Sequence, residues 1–274
     1  MFIRLMHLVK YISSHPQTLG TAYFPPDPVM IIVCPTKALE EEMAEKMGRA
    51  DLSAVAINAD TVQAMQKVGR NLFREVLCGV SILLVSPEQL KSKGFERLLN
   101  ESAFAERVSM MAVDETHLMN TWGQGFRKDF NEIGAVRARF PKRIPIAAVT
   151  ATLQTGGPTE RVCKFLGFRH GRHHIIRRSN FRPDIKLVFR TMKSGTGSRC
   201  FLELDWVVQS PERRCTLIFC RTIAFGFRVL VYLWGVLGDD ITRAKRLRLF
   251  NANNDKSYND ETLYGRPMTQ MCKS

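Results

Sequence analysis

Paired cysteines are the first feature that this sequence lacks. Its seven cysteines include no C-x-x-C pair, and several of them sit in apolar runs. An odd, unpaired set does not fit a disulfide framework or a zinc site. The clustered histidines, His170, His173 and His174, lie among arginines that would repel a metal cation. We therefore expect reduced, mostly buried thiols in an intracellular protein that has no zinc site.

Long apolar runs are also missing. The most apolar stretch, Phe225 to Leu237, is interrupted by Arg228 and is too short to span a bilayer, so it is predicted to be a core helix. Residues 1–14 place apolar side chains at helical spacing, but the basic residues among them break any signal-peptide core. We expect an amphipathic helix there, and no membrane as partner.

Acidic residues are scarce relative to basic ones. The chain has 26 Asp and Glu against 40 Lys and Arg, which gives a formal net charge of +14 and a pI near 9.8. This balance favours a polyanion as partner, and charge alone leaves DNA, RNA and a membrane surface open. The length of 274 residues, with 45% of them hydrophobic, is typical of an ordered protein with two modest α/β domains.

A phosphate-binding loop of the form G-x-x-x-x-G-K-(S/T) is absent from the sequence. Lys193 to Arg199 (KSGTGSR) resembles one in composition. It lacks the spacing and does not connect a buried strand to a helix, so we interpret it as a flexible turn.

An acidic pair follows a short apolar run in the middle of the chain. Val108 to Val113 is predicted to be a buried strand, and it ends in Asp114 and Glu115, with His117 close behind. Open α/β sheets bind ligands at the carboxyl ends of their strands. In nucleotide-hydrolysing sites one acid holds the metal ion, and its neighbour orients or deprotonates the attacking water. The alternative is a strand end whose two solvated acids cap the next helix.

Aromatic and basic residues are concentrated directly after this acidic pair. Trp122, Phe126 and Arg127 stand in the order W-x-x-x-F-R-x-D-(Y/F) within residues 118–130. Aromatic faces beside cations suit single-stranded nucleic acid, because bases stack on rings while Arg and Lys meet phosphates. The D-E-x-H box and the loop that follows it together resemble the RecQ-like branch of the superfamily-two DNA helicases, of the DEAH-box type.

Two earlier strand ends also resemble motifs of this family. The predicted strand Val29–Cys34 leads to Thr36, in a loop that would grip the DNA backbone. The alternative for Thr36 is a helix N-cap. The predicted strand at 80–85 leads to Pro87 and Glu88, in an element that would lie beside bound DNA.

Two later strand ends continue the resemblance. An apolar strand is predicted to end just before Thr150 and Thr152, which match the family motif that links the hydrolysis site to the DNA-facing side. The alternative for Thr152 is again a helix N-cap. A second predicted strand ends just before Arg221 and Thr222, which would face nucleic acid in the second lobe.

Strands separated by helical segments predict an α/β fold, with a parallel sheet and helices on both faces. The strands are expected at 29–34, 54–58, 80–85, 108–113 and 144–149, with helices at 37–47 and 63–76. The resemblance implies that this is a RecA-like lobe of the P-loop NTPase type.

The resemblance also divides the chain into four parts. Residues 1–170 would form the first RecA-like lobe without its phosphate loop, and 171–183 a basic interlobe linker. Residues 184–250 would form part of a second RecA-like lobe, with strands at 186–190 and 214–220, and 251–274 an irregular tail. The linker arginines would track a phosphate backbone, or else form a solvated surface loop.

The resemblance implies an ATP-dependent helicase that moves 3′ to 5′ on DNA, with ATP and Mg²⁺ as cofactors. Asp114 would hold Mg²⁺, and Asp114 and Glu115 would contact the bound cofactor. Glu115 and His117 would be catalytic, while His117, Thr150 and Thr152 would couple the site to DNA. The partners would be single-stranded DNA and duplex junctions, contacted by Thr36, Pro87, Glu88, Trp122, Phe126, Arg127, Arg221 and Thr222. In a eukaryote the location would be nuclear.

The sequence departs from the family around these motifs. Besides the phosphate loop, it lacks the adenine-reading element and the second-lobe motifs that supply arginine fingers. One arginine finger is worth about three to five orders of magnitude in rate, and without a phosphate loop the nucleotide is weakly held. We expect the middle portion of a helicase core that is inactive on its own. The alternatives are a nucleic-acid-binding remnant without catalysis and an unrelated α/β enzyme.

Overall fold

A parallel sheet of five strands forms the centre of the amino-terminal part of the chain. In the computed structural model the strands are β1 (Val29–Val33), β2 (Ala54–Ile57), β3 (Ile82–Val85), β4 (Val108–Val113) and β5 (Ile146–Ala148). Their order is β2-β3-β1-β4-β5, and all neighbours run parallel. β1 and β3 consist wholly of buried apolar residues, as strands covered on both faces do. The predicted α/β fold with a parallel sheet is confirmed.

The structure describes residues 1–19, 24–121, 132–140, 144–210, 215–238 and 243–264. The chain divides into two compact units, a first unit Met1–Phe181 and a second unit Arg182–Ser274. In the parts of the chain just given, no helix is long and apolar enough to cross a membrane.

Helices cover both faces of the sheet in the first unit. They are α1 (Phe2–Ser14), α2 (Lys37–Gly48), α3 (Ala59–Lys67), α4 (Leu72–Glu75), α5 (Lys93–Asn100), α6 (Ser102–Ala105), α7 (Leu118–Thr121), α8 (Glu132–Ala138) and α9 (Gly157–Phe165). Short 3-10 helices span Pro16–Leu19 and Pro87–Lys91.

The two faces of β1 belong to different parts of the core. Met30 and Ile32 cluster with Met6 of α1 and Met47 of α2. Ile31, on the opposite face, clusters with apolar residues of α5, α8 and α9. This alternation follows from the two-residue period of a β-strand. The amphipathic helix predicted for residues 1–14 is confirmed as α1.

The single helix predicted at 63–76 is wrong in its bounds, because the structure has two helices there, α3 and α4. Gly69 lies between them with a φ of +72°, in the left-handed region that glycine adopts without steric cost. Asn71 then caps α4, since its Oδ1 accepts the Phe73 N–H at 3.0 Å. Apolar spacing continues across this turn and therefore does not reveal the break.

One buried arginine connects the chain segments at the amino edge of the sheet, which is the edge where the parallel strands begin. Arg107, just before β4, donates to the backbone carbonyls of Asp27, Val76, Leu77 and Val80. Its Nε also lies 2.9 Å from the Asp27 carboxylate. These partners precede β1 and β3 in the chain, so a single side chain joins the entry points of three strands.

The second unit is built from one long helix and several short ones around a small apolar cluster of Phe201, Val229 and Leu233. The helices are α10 (Trp206–Gln209), α11 (Ile223–Leu237), α12 (Arg243–Arg246) and α13 (Lys256–Tyr264), with a 3-10 helix at Leu202–Leu204. The helix predicted at Phe225 to Leu237 is confirmed as α11, but only one face of it is in the core, since Phe227 and Val231 are exposed.

The strands predicted in the second unit are wrong. Residues 186–190 and 215–220 are in no strand, and neither is any other residue of this unit that the structure describes. A β-strand needs a neighbour to pair its backbone groups, and apolar composition alone does not supply one. Both segments are exposed, with Phe189 and Phe219 each at 92%. The assignment of a second RecA-like lobe stays a prediction.

The irregular tail predicted at 251–274 also needs correction, because α13 lies within it. Asp255 accepts the Ser257 N–H at 2.8 Å at the start of this helix. The Arg248 guanidinium lies 4.1 Å from the centre of the Tyr258 ring and 3.0 Å from the Glu261 carboxylate. Polar contacts therefore stabilise a helix that has no apolar periodicity.

The prediction of mostly buried thiols is wrong for the described cysteines. Only Cys34 is buried, at the end of β1, whereas Cys78, Cys200 and Cys215 are exposed. The exposed three lie in turns and irregular segments, where an apolar neighbourhood in sequence does not produce burial.

Candidate functional site

The acidic pair lies at the carboxyl edge of the sheet, directly after β4. The Asp114 N–H donates to Val33 O at 2.9 Å, which keeps Asp114 in register beside the end of β1. Asp114 Oδ1 accepts the Glu115 N–H, also at 2.9 Å. Glu115 has a φ of +48°, in the left-handed region that non-glycine residues rarely adopt. This strained turn takes the chain out of the sheet immediately after Asp114.

The surroundings of Asp114 disfavour its charge. Burial raises the pKa of Asp114, against the lowering effects of the Glu115 N–H and of His117. The net direction is upward, so the protein's own groups do not fully compensate the ionised carboxylate. A divalent cation would favour the ionised form, because carboxylate oxygens are ligands that Mg²⁺ prefers.

His117 lies between Glu115 and Thr150. Its Nδ1 atom is 3.0 Å from Glu115 Oε2 and 3.0 Å from Thr150 Oγ1. One ring nitrogen carries at most one proton, so it cannot make a well-directed hydrogen bond to both atoms. Glu115 Oε2 is buried and accepts no hydrogen bond from any described residue, so the well-directed contact is the one with Thr150. The Glu115 oxygen is left as a buried acceptor for a water molecule or a cation.

The end of β5 completes the arrangement. The Thr116 N–H and hydroxyl both donate to Val149 O, at 3.1 and 3.3 Å. Thr116 is 1% exposed, so these bonds are shielded from water. They fasten the D-E-x-H turn to the segment that leads into Thr150. Glu115 and His117 of the D-E-x-H box are thereby brought together with Thr150, which was predicted from a separate motif.

The two N-cap alternatives have opposite outcomes. Thr36 follows β1, and its Oγ1 accepts the Leu39 N–H at 3.4 Å, so it does cap α2. Thr152 caps no helix, because the N-cap of α9 is Gly156. Instead its N–H donates to Thr150 Oγ1 at 3.4 Å. Both Thr36 and Thr152 are exposed.

The candidate residues after β3 lie at the same edge, because the strands are parallel. Pro87 begins the 3-10 helix Pro87–Lys91 and is buried, so its ring offers little surface to a ligand. Glu88, the next residue, is partly exposed. Four strand ends therefore present candidate residues on one edge of the sheet, namely Thr36, Glu88, Asp114 and Thr150.

The remaining candidates are not part of this arrangement. Trp122, Phe126 and Arg127 lie outside the described residues. Arg221 and Thr222 belong to the second unit, where Thr222 Oγ1 accepts the Phe225 N–H at 3.2 Å and caps α11, and Arg221 is exposed. Roles of these five residues in nucleic-acid binding stay predictions.

A third carboxyl group at the carboxyl edge belongs to no motif. Glu40, in α2, is 0% exposed. Asn58 Nδ2 donates to Glu40 Oε2 at 2.9 Å, whereas Glu40 Oε1 has no hydrogen-bond partner among the described residues. Burial is the largest influence, and it raises the pKa of Glu40 to about 8 although the Asn58 hydrogen bond opposes the shift.

The spacing of α2 carried a signal for this residue. Glu40 stands three, four and seven residues before Met43, Ala44 and Met47, which all pack in the same core cluster. An acid in the apolar stripe of an amphipathic helix is buried by the helix itself. The pKa of Cys34 is raised by burial and then by the charges of Glu40 and Asp114, which places both acids near the end of β1.

The described residues fit a Mg²⁺ ion better than they fit a triphosphate. Asp114 and Glu115 supply carboxylates, and no group of three or more potential ligand side chains occurs in the described part of the chain. Mg²⁺ is commonly held by one or two carboxylates, with phosphate and water completing its shell, so this pair fits. The triphosphate fits less well, because the phosphate-loop motif that would bind it is absent from the sequence.

A family model of DEAD/DEAH box helicases matches residues 16–159, a range that includes every strand of the sheet and the D-E-x-H box. The match spans more than half of the chain. The chain therefore belongs to the DEAD/DEAH box helicase family.

Curated relatives narrow the resemblance to the RecQ branch. The chain is 29% identical over 199 residues to the ATP-dependent DNA helicase RecQ of Haemophilus influenzae, a match covering 72% of this chain and 29% of that protein. It is 28% identical over 241 residues to the RecQ of Pasteurella multocida, covering 73% and 37%. It is 28% identical over 196 residues to the putative ATP-dependent DNA helicase Q1 of Caenorhabditis briggsae, covering 69% and 30%. The RecQ-like resemblance is confirmed, and the chain spans about a third of the length of these relatives.

A solved structure shares the fold. The crystal structure of the DUF1998 helicase MrfA bound to DNA matches with a TM-score of 0.63, over 87% of this chain and 34% of that one. A second structure, of MrfA bound to DNA and AMPPNP, matches with a TM-score of 0.54 over 78% of this chain and 30% of that one. Sequence identity is 14% in both, so the likeness shows the fold alone, which is RecA-like.

Proposed function

We propose that this chain is a portion of an ATP-dependent DNA helicase of the RecQ type, in which ATP hydrolysis drives strand separation with 3′-to-5′ polarity. One observation carries the proposal: Glu115 and Thr150 both lie 3.0 Å from His117 Nδ1 at the carboxyl edge of the sheet. An acid suited to act on water is thereby joined to the threonine segment that leaves β5. A motor needs such a link, because hydrolysis must change the position of another element.

The two acids of the D-E-x-H box would divide the work of hydrolysis. Asp114 would hold Mg²⁺, which neutralises charge on the phosphates when it is bound. Glu115 presents a buried oxygen that accepts no hydrogen bond from the described residues. This oxygen would orient the attacking water and accept its proton.

The coupling would run from Glu115 through His117 to β5. Thr150 Oγ1 contacts His117 and also accepts the Thr152 N–H, so one hydroxyl connects the imidazole to an exposed segment. A shift of that segment on DNA binding would move His117, and with it the imidazole ring beside Glu115. This gives Thr150 and Thr152 a positioning role.

DNA is the proposed partner, as single strands and duplex junctions. The net charge of +14 suits a phosphate backbone. Thr36 and Thr152 are exposed at the edge that carries the acidic pair, and the relatives named above are DNA helicases. Trp122 and Phe126 would stack on bases, with Arg127 on phosphate. In a eukaryote this partner implies a nuclear location.

On its own, the chain is proposed to hydrolyse ATP slowly and not to separate strands. No phosphate loop is present in the sequence to hold the triphosphate, so binding would be weak. The same absence, together with the net charge of +14, favours the second candidate function, a nucleic-acid-binding remnant without catalysis.

Hydrolysis of ATP by the purified chain, with and without oligodeoxythymidylate, separates the two candidates. The helicase proposal predicts slow hydrolysis that DNA stimulates and that Glu115→Gln lowers by roughly a hundredfold or more. Glu106→Gln is the matched control, because Glu106 is an exposed acid at the opposite edge, just before β4. DNA binding without any hydrolysis that depends on Glu115 would instead establish the remnant.

A further inference from the structure

A cleft of about 730 Å³ opens in the first unit at the amino edge of the sheet. Ile144 and Pro145, which line it, immediately precede β5, whereas Thr150 follows β5. The five residue-to-residue steps from Pro145 to Thr150 correspond to roughly 16 Å of extended chain. The cleft is therefore a different place from the acidic site at the carboxyl edge.

The backbone on one side of the cleft is fixed by hydrogen bonds. α9 ends in a Schellman motif, in which the Gly167 N–H donates to Lys164 O at 3.1 Å and the Phe168 N–H to Cys163 O at 2.8 Å. Gly167 has a φ of +67°, the left-handed conformation that this motif requires. The chain is thus turned sharply into the cleft at Phe168.

The residues that follow are held just as firmly. The Arg172 N–H donates to Arg169 O at 3.0 Å, and His173 Nδ1 lies 2.9 Å from the same oxygen. The His173 ring stacks on Phe168, with ring centres 5.7 Å apart. Arg169 and Arg172 are therefore presented from an ordered turn, which lowers the entropic cost of binding a ligand there.

Three guanidinium groups line the cleft without a counter-charge. Arg137 uses one N–H to donate to Leu166 O at 3.3 Å. Arg169 and Arg172 are exposed, and their guanidinium groups meet no acceptor in the described part of the chain. No acidic residue is found among the described residues that line the cleft. Like charges gathered without a partner favour the binding of an anion.

We propose that this cleft binds the phosphodiester backbone of single-stranded nucleic acid, at a contact separate from the carboxyl edge. The inference rests on the proposed function, because both concern nucleic acid. Guanidinium groups pair with phosphate through two parallel hydrogen bonds, a geometry that lysine cannot supply. Phe168, which lines the cleft and is partly exposed, offers an apolar ring against which a sugar or a base can pack.

The repetition of charge favours a strand over a single anion. Three arginines exceed what one phosphodiester neutralises, and a nucleic-acid strand supplies further phosphates in sequence. The chain continues with further basic residues after the cleft residues, namely Arg177 and Arg178.

The first test compares two double variants of the full chain with the wild type, using a fluorescently labelled oligodeoxythymidylate without ATP. Arg169→Ala with Arg172→Ala should weaken binding roughly 10- to 30-fold at low salt and reduce the slope of log affinity against log salt by about 1.4. Lys67→Ala with Arg74→Ala removes the same charge from exposed residues of α3 and α4, and should leave the slope unchanged. If the two double variants had the same affinity and the same salt slope, the proposal that the cleft binds nucleic acid would be overturned.

The second test locates the contact. Phenylglyoxal modification of the wild type, read by mass spectrometry, should show Arg169 and Arg172 protected by the oligonucleotide and Arg74 not protected. Protection by inorganic pyrophosphate at equal phosphate concentration, without protection by the oligonucleotide, would assign the cleft to a free anion and overturn the proposal. Oligonucleotide binding with no protection of Arg169 and Arg172 would contradict nucleic-acid binding in the cleft. It would not contradict the proposed function. Absence of any oligonucleotide binding would overturn both.

Discussion

The two edges of the sheet differ in how completely their buried polar groups are satisfied. At the amino edge, the buried Arg107 donates to four backbone carbonyls. At the carboxyl edge, Glu40 Oε1, Ser86 Oγ and Glu115 Oε2 are buried without a hydrogen-bond partner, and they are all the atoms of that kind in the described residues of the first unit. An unpaired buried polar group costs about 1–3 kcal/mol, so such atoms are uncommon.

Within the same sheet, the amino edge therefore contributes mainly to stability, and the carboxyl edge carries the candidate functional site. The amino edge joins three strand entries through the hydrogen bonds of one buried arginine, Arg107. The carboxyl edge keeps unsatisfied oxygens where a metal ion, a water molecule or a nucleotide would bind. Proteins commonly give up stability at the sites where ligands bind.

Among the variants that test this contrast between the edges, Arg107→Ala is expected to have the largest effect. The change leaves four carbonyls without their donor and removes the ion pair with Asp27, so the free energy of unfolding of the first unit should fall by about 3–5 kcal/mol. Urea unfolding followed by circular dichroism measures the loss.

The control for this variant is Arg139→Ala. The Arg139 side chain is 33% exposed and contacts Glu96 and Asn100 at the surface. Its removal should cost about 1 kcal/mol or less. Equal losses for the two variants would show that the amino edge does not depend on Arg107.

A smaller effect is expected at the carboxyl edge from the pH dependence of Glu40. Its pKa rises from an ordinary value of 4.5 to about 8 on folding, so the folded chain keeps a proton that the unfolded chain releases. The stability from this group is fully present below the unfolded pKa and is lost as the pH rises through the folded pKa. Between pH 4.5 and 8, the unfolding free energy of the wild type should fall by about 2–4 kcal/mol more than that of Glu40→Gln. The variant escapes this loss because its side chain cannot ionise.

Urea unfolding at a series of pH values between 4.5 and 8 makes this comparison directly. Glu40→Gln retains an oxygen that accepts from Asn58, so the variant tests charge and leaves the hydrogen bond in place. Parallel pH profiles for wild type and variant would mean that Glu40 is ionised in the folded chain.

The smallest effect concerns the link between Glu115 and β5. Thr150→Val keeps the shape of the side chain but removes the hydroxyl that contacts His117 Nδ1 at 3.0 Å. Stimulation of ATP hydrolysis by DNA should fall about tenfold, as expected for an energetic coupling of modest size. Thr150→Ser retains the hydroxyl and should behave like the wild type. A loss in both variants would point to packing of the threonine methyl group.

Much of the first unit could be predicted because β1 and β3, which pair with each other in the sheet, are apolar at every position. Val29–Val33 and Ile82–Val85 have the composition of strands covered on both faces, and their parallel order brings the residues that follow them to one edge. The position of Asp114 and Thr150 at a common edge followed from that inference. The contacts of His117 with Glu115 and Thr150 did not, because the turn at Glu115 depends on a left-handed residue that no pattern indicates.

Other features depend on contacts that are distant in sequence. The hydrogen bond from Asn58 to Glu40 joins two residues that are eighteen positions apart. In the second unit, the segments at 186–190 and 215–220 have strand-like composition, but pairing is a property of two segments and cannot be deduced from one. The break between α3 and α4 at Gly69 shows the same limit on a local scale, since apolar spacing continues past it.

The most direct test of the contrast between the edges measures the rate of ATP hydrolysis against oligodeoxythymidylate concentration for the wild type, for Glu115→Gln and for the double variant Arg169→Ala with Arg172→Ala. The account predicts that Glu115→Gln loses the maximal rate at every DNA concentration. It predicts that the double variant reaches its maximum only at a DNA concentration roughly 10- to 30-fold higher. If both variants lowered the maximal rate alike, or if neither changed the curve, the assignment of hydrolysis to one edge and nucleic-acid binding to the other would be contradicted.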